Sequence, residues 1–170
     1  MEDIENREIS TAITDFRRAR SQADLKELIG RITGEQTQLL SFDEVKQMLR
    51  LQTSSDIGLR DIPLEAIVGS VGRYTDFTRD FLPRREIRPE RWARVKIAAS
   101  GLVGLPPIEV YKIGEIYFVK DGNHRVSVSR QLGAKFIQAY VTEVKTDIPL
   151  TPDIRPDDLI LKAEYALFLE

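Results

Sequence analysis

The segment Asp121-Gly122-Asn123-His124-Arg125 joins an acid, a glycine, the only histidine of the chain and a cation. Residues 116–119 before it are strand-like and residues 126–132 after it are helix-like. A helix that opens directly after a strand turns its first unbonded amides out of the fold. Those amides, the positive end of the helix dipole and the Arg125 guanidinium together suit a phosphate. Gly122 permits a sharp turn and a close approach to the backbone. His124 carries the one side chain that titrates near neutrality, and its expected role is phosphate contact. Asp121 either caps the helix or helps hold Mg²⁺, which takes few protein carboxylates; capping is the preferred reading.

The guanidinium and the dipole are too weak alone. A charge-assisted bond contributes about 1.5–3 kcal/mol and the dipole about 0.3–1 kcal/mol, against the roughly 8 kcal/mol of a micromolar complex. A nucleotide site therefore needs more groups, and Ser70, Gly72 and Arg73, in a loop that resists regular structure, are the expected ones.

These groups must be positioned by surrounding elements. Residues 2–32 have helical periodicity through Ile9, Ile13, Phe16, Leu25, Leu28 and Ile32. Ser41 and Glu44 form a capping box for a second helix. Polar residues 52–58 resemble a linker, and residues 62–68 a strand. The spacing of Tyr74, Phe77, Phe81 and Leu82 predicts a short helix over 74–83, and Pro89 opens another that contains Trp92. The aromatics at this spacing are expected in the core. Residues 108–112 and 115–119 read as a hairpin turning at Gly114, Gly133 as a helix C-cap, and 136–144 as a strand. The last helix, from Asp157, carries Leu159, Ile160, Ala163, Leu167 and Phe168. It ends without a C-cap, so it either docks on the core or belongs to a longer chain.

Net charge is −2, which argues against a general nucleic-acid coat protein. Residues 61–146 nevertheless hold 14 basic against 10 acidic side chains. Arg84, Arg85, Arg88, Arg91 and Arg94 form a basic run suited either to nucleic-acid phosphates or to a solvated helix face. Lys120 and Glu109 are expected to be solvated. The absence of cysteine rules out disulfides and thiolate chemistry. With no apolar run of membrane-spanning length, a cytoplasmic protein without membrane contact is expected.

The order of elements, the Pro-Pro-Ile-Glu-Val block at 106–110 and the Asp-Gly-Asn-His-Arg block together resemble the ParB N-terminal domain and sulfiredoxin superfamily, over residues 62–144. The resemblance implies an α/β (α+β) fold, a small mixed sheet with packed helices, here preceded by a helical extension. The implied segments are 1–58, the helical extension; 59–146, the ParB/sulfiredoxin-like domain; and 147–170, a linker and helix. Sulfiredoxins place Gly-Cys-His-Arg at this turn. Asn123 stands in the cysteine's place, which excludes that redox activity. ParB proteins place Gly-Glu-Arg-Arg there and bind CTP; only Gly122 and Arg125 match, and residues after 144 leave no room for a helix-turn-helix domain. The related free-serine kinases place Asp-Gly-His-Thr-Arg there and use an acid from the front of the fold as base. Asp121, Gly122 and Arg125 match, and Glu65 and Asp76 are the acids in question, with His124 a third catalytic candidate.

The resemblance thus implies binding of ATP, ADP or CTP with Mg²⁺, as a switch, a phosphotransferase or a hydrolase. The competing expectation is a DNA-associated regulatory or partitioning protein, a ParB-like nuclease among the forms it takes. A third is a scaffold whose N-terminal helices pair with another copy, as a homodimer, or with another protein.

Overall fold

The computed structural model describes residues 2–34, 37–85, 87–101 and 104–169, with side chains to residue 165. The chain runs α1 (Glu2–Thr33), β1 (Leu40–Ser41), α2 (Phe42–Met48), β2 (Ser54–Pro63), a 3₁₀ turn (Leu64–Ala66), β3 (Ile67–Ser70), α3 (Pro89–Ala99), β4 (Ile108–Ile113), β5 (Ile116–Asp121), α4 (Asn123–Gln131), β6 (Phe136–Val144) and α5 (Pro156–Leu169). The strands form one sheet in the order β1-β3-β5-β4-β6-β2. The β4–β5 and β2–β6 pairs are antiparallel; β1–β3, β3–β5 and β4–β6 are parallel. This is a mixed α/β architecture.

Alternating side chains divide the core between the two faces of the sheet. Ile67, Ile108, Val110, Val119 and Val141 meet α1, α3 and α4 through Phe16, Trp92, Val126 and Val128. Val68, Ile113, Ile116, Phe118 and Val144 meet α2 and α5 through Phe42, Val45, Leu159 and Ala163. Trp92 has no exposed surface, and its indole N–H donates to the Ser127 hydroxyl at 2.9 Å. That bond satisfies a buried donor and ties α3 to α4. The Phe16 ring meets Trp92 edge-on at 5.8 Å, which brings α1 into the same layer.

Several local expectations hold. Ser41 caps α2, accepting from the Glu44 amide at 3.5 Å. The hairpin turns at Gly114 with φ 60°. Others do not. The polar stretch read as a linker includes the start of β2, which pairs with β6 from Ser54 onward. β2 is an outer strand, exposed along most of its length, so it lacks the apolar alternation that marks a strand. The strand expected over 62–68 is interrupted by the 3₁₀ turn that follows Pro63. The helix expected over 74–83 is a series of turns, because Thr78 pairs with Gln38 and its hydroxyl accepts from the Leu82 amide at 3.1 Å. Phe77 and Phe81 are both buried, as expected of core aromatics, but Phe81 lies at φ 60°, outside any helix.

In α1 the buried face is Ala12, Phe16, Ala19, Ala23 and Gly30. Small side chains allow this helix to approach closely. Leu25, Leu28 and Ile32, expected on that face, are exposed. In α5, Leu159 and Ala163 are buried; the side chains of Leu167 and Phe168 lie outside the described residues.

Gly69 marks the tightest packing between β3 and its neighbours. A Cβ there would lie 2.4 Å from the Phe118 ring and 2.6 Å from the Leu40 carbonyl. Gly69→Ala is expected to cost at least about 1–3 kcal/mol through overpacking. Urea denaturation would read this as a lower midpoint at unchanged slope.

Candidate functional site

β5 ends at Asp121 and α4 begins at Asn123, so a single residue, Gly122, makes the turn. Its φ of 121° is a conformation closed to most side chains. Packing gives a second reason for glycine: a Cβ would lie 2.5 Å from Ile108 Cγ2 on the neighbouring strand. The Val126 amide donates to the Gly122 carbonyl at 3.0 Å. The amides of Asn123, His124 and Arg125 therefore precede the helical ladder, and no side chain caps them. The helix also starts three residues earlier than expected, so the motif forms its first turn. Asp121 is not the cap that the sequence suggests, because Gly122 occupies the N-cap position. The Asp121 carboxylate instead meets Arg125 Nη2 at 3.1 Å.

Arg125 also departs from expectation. Its Nη1 donates to the carbonyls of Pro107 at 2.8 Å and Pro106 at 3.2 Å. These carbonyls lie just ahead of β4. The guanidinium satisfies them and fastens α4 to the entry of that strand. It is the clamp of the turn, with only 17% of the side chain exposed.

Other cations border the same turn. Two adjoining cavities, of about 430 and 980 Å³, share Arg73, Arg91 and His124 in their walls. The first is also lined by Gly72, Lys120 and residues 121–125, the second by Asp76, Arg88, Glu90 and Arg94. Together they present six cations (Arg73, Arg88, Arg91, Arg94, Lys120, Arg125) against three carboxylates (Asp76, Glu90, Asp121). The cleft is thus electropositive, in an acidic protein. The spacing of Arg88, Arg91 and Arg94 at threes puts them along one side of α3, facing the cleft while Trp92 enters the core. That spacing was the available signal for Arg91, which the sequence placed in a basic run with no link to His124. Lys120 is exposed, as expected, and also lines the smaller cavity.

The front-loop residues divide. Gly72 and Arg73 line the cleft. Arg73 is held at φ 52°, uncommon for a residue with a Cβ, and its Nε lies 4.0 Å from Asp76. Ser70 is buried away from the cleft wall. Its hydroxyl has one proton and faces three oxygens: the carbonyls of Gly72 at 2.5 Å and Val119 at 3.2 Å, and Asn123 Oδ1 at 3.2 Å. It joins the loop to the first residue of α4, and so shapes the cleft without entering it. Of the two acids considered as base, Asp76 faces the cleft and Glu65 does not. Glu65 lies in the 3₁₀ turn, in the field of Arg130 near the far end of α4. That is roughly 10 Å along the helix from His124.

His124 is almost completely buried, with Phe77 edge-on to its ring at 5.3 Å. Burial first, then the positive fields of Arg91 and Arg73, lower its pKa from 6.5 to about 4. At neutral pH it is a neutral imidazole, so any contact it makes with a phosphate adds no charge. Among the described residues no group of three His, Asp or Glu side chains is placed to hold a metal ion. No helix among them is long and apolar enough to cross a membrane.

No protein-family model matches the chain, and no curated protein does. Among solved structures, it is similar to sulfiredoxin from Arabidopsis thaliana, at 21% identity and a TM-score of 0.38, over 49% of this chain and 82% of that one. It is also similar to the C-terminally truncated chromosome-partitioning protein ParB from Caulobacter crescentus complexed with CTP-gamma-S. There the identity is 17% and the TM-score 0.39, over 66% of this chain and 54% of that one. The chain thus spans about half of that ParB chain. Both likenesses are too distant to carry an argument about function.

The depressed pKa of His124 makes stability depend on pH. The unfolded chain protonates near pH 6.5, the folded protein only near 4. Between those values the unfolded state binds the extra proton, so stability falls as pH drops from 6.5 towards 4. Above 6.5 this contribution is constant. The loss amounts to at most about 3 kcal/mol. Denaturation of the wild type and His124→Gln at pH 7 and pH 4.5 is expected to show a smaller acid loss in the variant.

Proposed function

We propose that the cleft binds the phosphates of a nucleotide, with ATP, ADP and CTP as the ligands to test. The observation that carries this reading is convergence. Amides left open at the start of α4 and the side chains of Arg73, Arg91 and Lys120 border the same cavity. Three charge-assisted contacts of about 1.5–3 kcal/mol each, with the dipole, span the roughly 8 kcal/mol of micromolar affinity before association entropy is subtracted. The neutral His124 accepts or donates one hydrogen bond without adding charge. A bound phosphate would offset the field of the two arginines and raise the His124 pKa.

Mg²⁺ fits this site only as the companion of the nucleotide, with Asp76 or Asp121 as a single carboxylate and phosphate oxygens completing its shell. Asp76 is also the acid to test for a phosphotransferase or hydrolase step; without such a step the module is a switch. Arg88, Arg91 and Arg94, all exposed along one side of the larger cavity, support a second reading in which the cleft takes a DNA backbone.

Calorimetry with ATP, ADP and CTP, with and without Mg²⁺, tests the proposal. Arg91→Ala and Arg73→Ala are each expected to weaken nucleotide binding about tenfold or more, whereas Arg125→Ala is expected to lower stability as well. No binding by the intact protein at millimolar nucleotide would defeat the reading. Salt-sensitive DNA binding that vanishes when Arg88, Arg91 and Arg94 are neutralised would establish the second.

A further inference from the structure

From Phe16 to Ile32, α1 has two apolar faces. Phe16, Ala19, Ala23 and Gly30 are buried against the body of the protein. Leu25, Leu28, Ile29 and Ile32 are 57%, 53%, 45% and 79% exposed. At about 100° per residue these four fall on the side opposite the buried face. Their spacing of three, four and seven is that of a helix seam that meets another helix. A helix apolar on one side needs one neighbour; a helix apolar on two sides needs two. The first neighbour is the protein's own core. Among the described residues no second neighbour covers that side.

From this geometry we infer that the Leu25–Ile32 face of α1 pairs antiparallel with the same face of a second copy of this chain. Charge selects the occupant and the direction. Asp24, 4.0 Å from Arg20 Nε on its own helix, and Arg31 stand seven residues apart and therefore flank the same edge of the stripe. A two-fold axis near Leu28 sets Asp24 of one copy against Arg31 of the other, twice. It also brings the two Leu28 side chains together and places Ile32 near Leu25 of the partner copy. A parallel pair would put the Asp24–Arg31 edges of the two copies on opposite sides of the seam, where they do not meet. The stripe covers only part of the roughly 800 Å² per partner of a stable interface, so the dimer is weak and depends on concentration. It lies on α1, apart from the cleft, and does not rest on the nucleotide reading.

Sedimentation from low micromolar to near-millimolar protein tests this. Wild type is expected to shift from monomer to dimer mass. Leu28→Glu is expected to stay monomeric throughout, with unchanged circular dichroism and melting temperature, since the site is on the surface. Asp24→Arg and Arg31→Asp alone are expected to weaken the dimer, and the two combined to restore it. A wild type that stays monomeric at every concentration overturns the inference. So does a dimer that tolerates Leu28→Glu, or a charge swap that rescues nothing. Binding of monomeric protein to anionic lipid vesicles through the same leucines would overturn it too, because the stripe would then be a membrane-facing one.

Discussion

The contact of Gly122 with Ile108 organises much of this molecule. A strand and a helix meet with one residue between them, and that residue rests against the next strand. The two polypeptide segments involved are the Pro-Pro-Ile-Glu-Val block and the Asp-Gly-Asn-His-Arg block. Arg125 reinforces the same junction through the carbonyls of Pro106 and Pro107. Neither block makes sense alone: one is the seat and the other the turn that sits in it. The cleft follows from this junction, because it directs the open end of α4 towards the loop at Arg73 and the exposed side of α3.

Most regular elements were legible in the sequence, including the hairpin, α4 and the capped start of α2. The misreadings have physical causes. The turns over 74–83 place two phenylalanines four residues apart, as a helix would, but their backbone is set by hydrogen bonds to Gln38 and within the turn. Such distant partners leave no local trace. β2 was missed because an exposed outer strand need not alternate. Beyond Phe16 the buried side of α1 was misassigned because its contacts there are made by alanine and glycine, which weigh little in a search for large apolar residues.

The sequence pointed to the turn at Gly122, and the structure adds that Arg125 there is bonded to the carbonyls of Pro106 and Pro107. Whether an arginine reaches outward or inward depends on unsatisfied carbonyls nearby, and those of Pro106 and Pro107 are some 18 residues away in the chain. Arg91 could be placed beside His124 only once α3 was packed on α4 through Trp92 and Ser127. Ser70, expected to bind phosphate, is bonded to Asn123 at the start of α4.

One outer strand has a further consequence. The register of β2 against β6 slips between Asp56 and Gly58, and the strand ends in a proline. An irregular, charged rim that lacks an amide donor at its end is a poor template for sheet growth. At the opposite rim, β1 is only two residues long. Both margins of the sheet thus discourage fibrillar stacking of strand on strand.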